Sequence, residues 1–142
     1  FRHIGADAAG DLVQHLAVGL EVTLRVVPRT DQQRGVIELE DLAVATSGDY
    51  RRYLEIGGAR LAHTMDPRRW APVNNGVASV TVLARTCMQA DAWATALLVA
   101  GPCEGLAMAQ RMGMDVLFLM RRGEGLIELG LGRFGRAADL RA

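Results

Sequence analysis

The sequence predicts an α+β fold, an antiparallel sheet with two consecutive helices packed on one face. Three observations carry this. Short alternating segments, separated by turn residues, fill most of the chain up to Ala84. The period then lengthens to that of a helix between Thr86 and Gly113. Two compact apolar strands follow, so the chain ends strand, helix, helix, strand, strand. Sequential strands joined by short turns favour antiparallel pairing over βαβ alternation.

The elements follow in order. Glu21–Val27 alternates and ends in Pro28, as a strand does, and residues 28–35 are a polar loop. Val36–Glu40 and Leu42–Thr46 read as short strands, and Ser47-Gly48-Asp49 as a turn. Tyr50–Ile56 and Arg60–Met65 read as a hairpin around Gly57-Gly58. Asp66–Gly76, with Pro67, Pro72 and Asn74-Asn75-Gly76, reads as a loop. Val77–Ala84 is β-rich and mostly apolar, which suits a buried strand. Thr86 is placed to cap a helix from Met88 to Ala100, closed by Gly101. Pro102 opens a second helix that ends before Gly113. Val116–Met120 and Leu126–Leu131 are the last strands, and the tail from Gly132 is expected to fray.

Composition narrows the function. The 142 residues are 50% hydrophobic and 23% charged, ordinary globular values that allow one domain, 1–142, with a real core. Sixteen basic residues balance sixteen acidic ones, so no overall field draws nucleic acid. Every basic residue is Arg, which excludes a catalytic lysine within the chain. Cys87 and Cys103 form neither a disulfide framework nor a zinc spacing. No apolar run reaches the length of about 18–20 residues that a membrane span needs. The chain opens Phe1-Arg2-His3 without Met or an export signal and reads as beginning mid-chain.

Few residues point to chemistry. Asp91 and Thr95, four apart on a helix, share one face and offer a carboxylate and a hydroxyl. Such a sparse pair of hard oxygens suits Mg²⁺, which keeps water and substrate phosphates in its shell. An acid in a first turn and a threonine at a core edge account for the pair equally simply. His63 sits at a strand-to-loop junction, placed to bind phosphate, hold a carboxylate or relay a proton, or to serve only structure. Ser47 lacks the preceding Gly of a nucleophile elbow. Arg51-Arg52 and Arg68-Arg69 read as solvent-facing pairs, and Trp70 and Trp93 as packing residues. No dinucleotide fingerprint or Walker loop occurs.

Three phrases, in order and at matching separations, say more: AVATSGDYRRYLEIGGARLAHTMDP (43–67), ASVTVLA (78–84) and QADAWATALLVAGPCEGLAMAQR (89–111). Over 43–120 the chain resembles the ApbE family of FAD:protein FMN transferases, in its C-terminal half, while residues 1–40 match loosely. The resemblance implies a T-fold-like α+β architecture. It also implies Mg²⁺-dependent transfer of FMN from FAD to a Thr hydroxyl of an acceptor protein, with release of AMP. Asp91 and Thr95 fall on the family's metal ligands, Met65 on an FAD contact and His63 on a histidine near the reacting phosphates. The implied cofactors are FAD and Mg²⁺, and the implied partners are proteins of membrane redox complexes. The implied location is periplasmic or membrane-anchored.

Three departures accompany it. The family's N-terminal half, with a Gly-rich segment and a Lys, has no counterpart here. Arg69 and Trp70 stand where the family has Thr and Gly, and Ala94 where some members carry a second Asp. These departures motivate the alternative of a non-catalytic flavin- or protein-binding relative, or an orphaned fragment. A weaker alternative is a hydrolase splitting FAD to FMN and AMP. An apolar face left where the missing half would dock would favour a homodimer or aggregation.

Overall fold

The computed structural model describes residues 15–17, 20–24, 35–48, 53–56, 59–123 and 125–135. Its strands are β1 (His15–Ala17), β2 (Leu20–Leu24), β3 (Gly35–Leu39), β4 (Leu42–Gly48), β5 (Tyr53–Ile56), β6 (Ala59–Ala62), β7 (Met65–Asp66), β8 (Ala71–Pro72), β9 (Val77–Ala84), β10 (Asp115–Arg122) and β11 (Gly125–Leu131). The helical stretch α1 spans Cys87–Arg111. An antiparallel five-stranded sheet runs β1-β4-β9-β10-β11, with two-stranded pairs β2-β3, β5-β6 and β7-β8 beside it. The α+β architecture expected from the sequence is the one observed.

The sheet places β9 at its centre, and Val77 through Leu83 are buried without a break. Both faces of that strand are covered. Val80 and Val82 point one way and join Val116, Phe118 and the helical Ala94, Leu97, Leu98 and Ala109. Leu83 points the other way and joins Val44, Leu39 and Phe134. A strand covered on both faces is buried at every position, which is why 77–84 is mostly apolar and its Ser79 and Thr81 are buried too.

Helix α1 starts as expected: the Thr86 hydroxyl accepts from the Gln89 N–H at 3.2 Å. Gly101 leaves helical geometry, with φ 80° and ψ −179°, and divides α1 into the two arms predicted. That combination belongs almost to glycine alone. Ala90, Ala94, Leu97 and Leu98 form the buried stripe of the first arm at helical spacing. In the second arm a Cβ on Gly105 would stand 3.0 Å from both the Leu97 carbonyl and the Phe118 ring, so glycine lets arm and sheet close together. The second arm ends in a Schellman motif, with Met114 N–H donating to Ala109 O and Gly113 N–H to Gln110 O. By length and composition α1 would suffice to cross a membrane, but its buried stripe packs on the sheet as a core helix does.

Several expectations need correction. Ser47 and Gly48 are the last residues of β4 and pair with Val80 and Ser79; they are not a turn. The cross-strand partners supplied by β9 extend the strand past its local turn signal. The stretch 66–76 is not all loop, since β7 and β8 pair within it. Strand β1, unread in the sequence, pairs with β4. The tail does not fray at once: Gly132–Phe134 form a 3₁₀ turn that buries the Phe134 ring against the far face of the sheet. The Gly57-Gly58 turn, the Arg51-Arg52 pair and residues 136–142 lie outside the described residues.

Candidate active site

The candidate metal pair sits on the first helical arm. Asp91 and Thr95 each follow a buried alanine, Ala90 and Ala94, and therefore lie at the edge of the buried stripe. Asp91 is half-buried and Thr95 is exposed. The Thr95 hydroxyl is hydrogen-bonded to the Ser47 hydroxyl at 2.7 Å. Ser47 pairs with Val80, so it stands on the helix side of the sheet, at the end of β4. The sheet thus brings a third oxygen to the helical pair. The Asp91 side chain makes no hydrogen bond or ion pair with another described residue, which leaves its carboxylate oxygens open.

This donor set fits a hard, oxygen-preferring cation that needs few protein ligands. Among the described residues no three His, Cys, Asp or Glu side chains gather into a metal-binding cluster. A cation here would complete its shell with water or phosphate oxygens, as Mg²⁺ does. Ala94 is fully buried against the sheet, so this position turns into the core and adds nothing to the oxygen set.

The second part of the site is the segment 63–75. His63 follows directly on the end of β6 and is exposed. Met65 is 52% exposed, whereas its neighbour Asp66 is buried. Alternation along β7 sends the two side chains to opposite faces. The Asp66 carboxylate accepts from the Arg68 backbone N–H at 2.9 Å and from the Arg68 guanidinium at 3.2 Å. The guanidinium bond, then the backbone bond, hold this carboxyl below the usual carboxylate range. Arg68 also donates to Glu104 at 2.9 Å and to the Val99 carbonyl at 3.4 Å. Its side chain stays 56% exposed, as expected, yet it also ties the segment to the helical arm.

A second tie has a plain cause in the sequence. In a continuous helix the Leu98 carbonyl would accept from the N–H of residue 102. Pro102 has none. The Asn75 amide supplies the missing donor at 2.8 Å, while its oxygen accepts from the Val77 N–H at 3.2 Å. The Leu98 carbonyl orphaned at the kink is thus satisfied, and the next carbonyl, Val99, is met, from the 63–75 segment. These contacts fasten that segment to the helical arm one turn past Thr95.

The structure joins Thr95 to Ser47, with Asp91 one helical turn before Thr95, and sets His63 and Met65 on a segment pinned to the same arm. Ser47, Asp66, Arg68 and Asn75 were not selected from the sequence. Pro102 did signal an orphan carbonyl at Leu98. Nothing in the sequence pointed to a partner 23 residues earlier. Trp93 packs against the core, as expected, but Trp70 is 88% exposed and packs no core.

Comparison with known proteins decides the kinship. The family model described as "ApbE family" matches residues 2–118. The chain belongs to the ApbE family. A Vibrio cholerae FAD:protein FMN transferase is 43% identical over 109 residues, covering 75% of this chain and 33% of that protein. The Escherichia coli K12 protein of the same name is 35% identical over 109 residues, covering 75% and 31%. The apo crystal structure of the Pseudomonas stutzeri flavinyl transferase ApbE superposes with TM-score 0.68 at 37% identity, over 86% of this chain and 36% of that one. The Thermotoga maritima ApbE protein gives 0.67 at 34% identity, over 81% and 37%. The chain spans about a third of the length of these relatives. The ApbE match reaches nearly to the start of the chain, well beyond the motifs at 43–120.

Proposed function

We propose that this chain carries the metal- and FAD-binding segment of an FAD:protein FMN transferase. Family membership supplies the activity, since relatives at 43% and 35% identity bear that name. The observation that supports a site in this chain is the meeting of Thr95 with Ser47 beside the open Asp91 carboxylate.

In this reading Asp91 and Thr95 hold Mg²⁺ through a carboxylate and a hydroxyl oxygen. When bound, the ion would neutralise charge on the pyrophosphate of FAD. Ser47 orients the Thr95 hydroxyl, so that one lone pair is kept for the cation. Met65, exposed beside buried Asp66, offers FAD an adaptable apolar contact. His63 stands at the mouth of the segment to hold or take the proton of the attacking group.

The overall exchange is a phosphoryl transfer. A threonine oxygen of the acceptor protein bonds to the FMN phosphorus, the bond from that phosphorus to the bridging oxygen breaks, and AMP departs with that oxygen. The threonine proton passes to His63. Positioning and charge neutralisation supply most of the catalysis in such reactions. The acceptors we propose are proteins of membrane redox complexes, outside the cytoplasm, on family resemblance alone.

The test is FAD binding to this chain, followed by flavin fluorescence with and without Mg²⁺. Mg²⁺ should tighten binding in the parent, and Asp91→Asn should remove that dependence. Equal Mg²⁺ dependence in parent and variant would take Asp91 out of the site. A folded parent that binds no FAD would refute the reading for this chain.

A further inference from the structure

Trp70 is the residue whose placement neither the core nor the metal pair explains. It ends the turn Pro67–Trp70 between β7 and β8 and has φ +51°. Left-handed backbone is disfavoured for any residue with a Cβ, and a bulky aromatic there is an outlier. Asp41 is the other non-glycine residue with positive φ among the described residues, and Asp tolerates that region through its short polar side chain. Trp70 is also 88% exposed, so no packing repays the strain. A strained backbone persists where its surroundings hold it, and such outliers gather at ligand sites.

The surroundings here are firm. The turn is closed by Arg69 N–H donating to Asp66 O at 3.2 Å. Asp66 is tied to Arg68, and Arg68 to Glu104 and the Val99 carbonyl. Val99 lies four residues beyond Thr95 on the same helix, a rise of about 6 Å. The hairpin bearing the indole is thus fastened, through the Arg68 side chain, to the helical arm that carries Asp91 and Thr95. Met65, 52% exposed, opens its side chain to solvent from the same hairpin. An exposed aromatic ring on a hairpin tied to the arm that bears the candidate metal pair suits one flat ring of a dinucleotide. A hairpin tip with two exposed arginines beside that ring offers little of the broad apolar core that a protein partner needs.

We propose that Trp70 is a stacking residue for a flat heteroaromatic ring of the dinucleotide whose phosphates lie at Asp91 and Thr95. This inference rests on the proposed function. An indole stacks on flavin or adenine alike, because each presents a π-face. The tied turn presents the indole to solvent before the ligand arrives.

The decisive comparison uses this chain with Trp70→Gly and Trp70→Phe, titrated with FAD, FMN and ADP in Mg²⁺ by calorimetry and flavin fluorescence. Glycine relieves the backbone, so Trp70→Gly should keep or raise the melting temperature. It should nevertheless weaken FAD binding about 5- to 150-fold, the range of one lost aromatic stack. Trp70→Phe should recover most of the affinity. Loss confined to FMN would identify the flavin as the stacked ring, and loss confined to ADP the adenine. If Trp70→Gly binds FAD as tightly as the parent, this inference falls and the proposed function stands, and Trp70 then faces the acceptor protein or nothing. A parent that binds no FAD overturns both.

Discussion

Asn75 is the most exacting point at which to test the account of the kink. Replacing it with Ala removes the donor to the Leu98 carbonyl and the acceptor for the Val77 N–H, at 2.8 and 3.2 Å. Pro102 cannot take over the first role, and Val77 is buried at the head of the central strand. A buried backbone group without a partner costs about 1–3 kcal/mol. Asn75 is half-buried, so water repairs part of this, and we expect a net loss of about 2 kcal/mol. In a chain of this size that lowers the melting temperature by roughly 6 °C. The assay is urea unfolding by far-UV circular dichroism, where the midpoint should fall and the slope stay constant. Asn75→Asp keeps the acceptor but turns a carboxylate toward the Leu98 carbonyl, so it should be at least as damaging as Ala. A loss below about 0.5 kcal/mol for Ala, or an Asp variant as stable as the parent, would refute the capping argument.

Two further predictions follow from the same region. Gly101→Ala would place a Cβ 3.0 Å from the Asn75 amide nitrogen on a backbone at φ 80°, ψ −179°, and should cost about 1–3 kcal/mol in the same unfolding assay; a neutral outcome would show that the arms need no glycine. The Asp66 carboxyl titrates below its ordinary 3.8 when folded, so it stabilises the fold above that value and ceases to as pH falls through the lower folded value. The stability gap between the parent and Asp66→Asn should accordingly be constant near neutrality and shrink below about pH 4; a gap unchanged into acid would mean that the Arg68 bond does not hold in solution.

The sequence by itself determined the class of fold, because the periods of its segments are local properties. The mostly apolar strand at 77–84, the Thr86 cap, the Gly101–Pro102 break and the Gly113 stop can each be read from neighbouring residues. The pairing of Asp91 with Thr95 on one helical face was legible for the same reason. What the tertiary structure decided is every contact made across the chain. Ser47 looked like a turn residue until the ladder with β9 carried β4 through Gly48 and set its hydroxyl against Thr95. Arg68 is the solvated charge that the sequence suggested, but only the fold set a helix carbonyl and Glu104 within its reach. Phe134 looked like part of a fraying tail until the far face of the sheet offered it a place to be buried. Trp70 looked like a packing residue, and the fold left it in water. Backbone period and capping chemistry act over a few residues, whereas burial and the need to satisfy stranded polar groups depend on which distant segment arrives beside them.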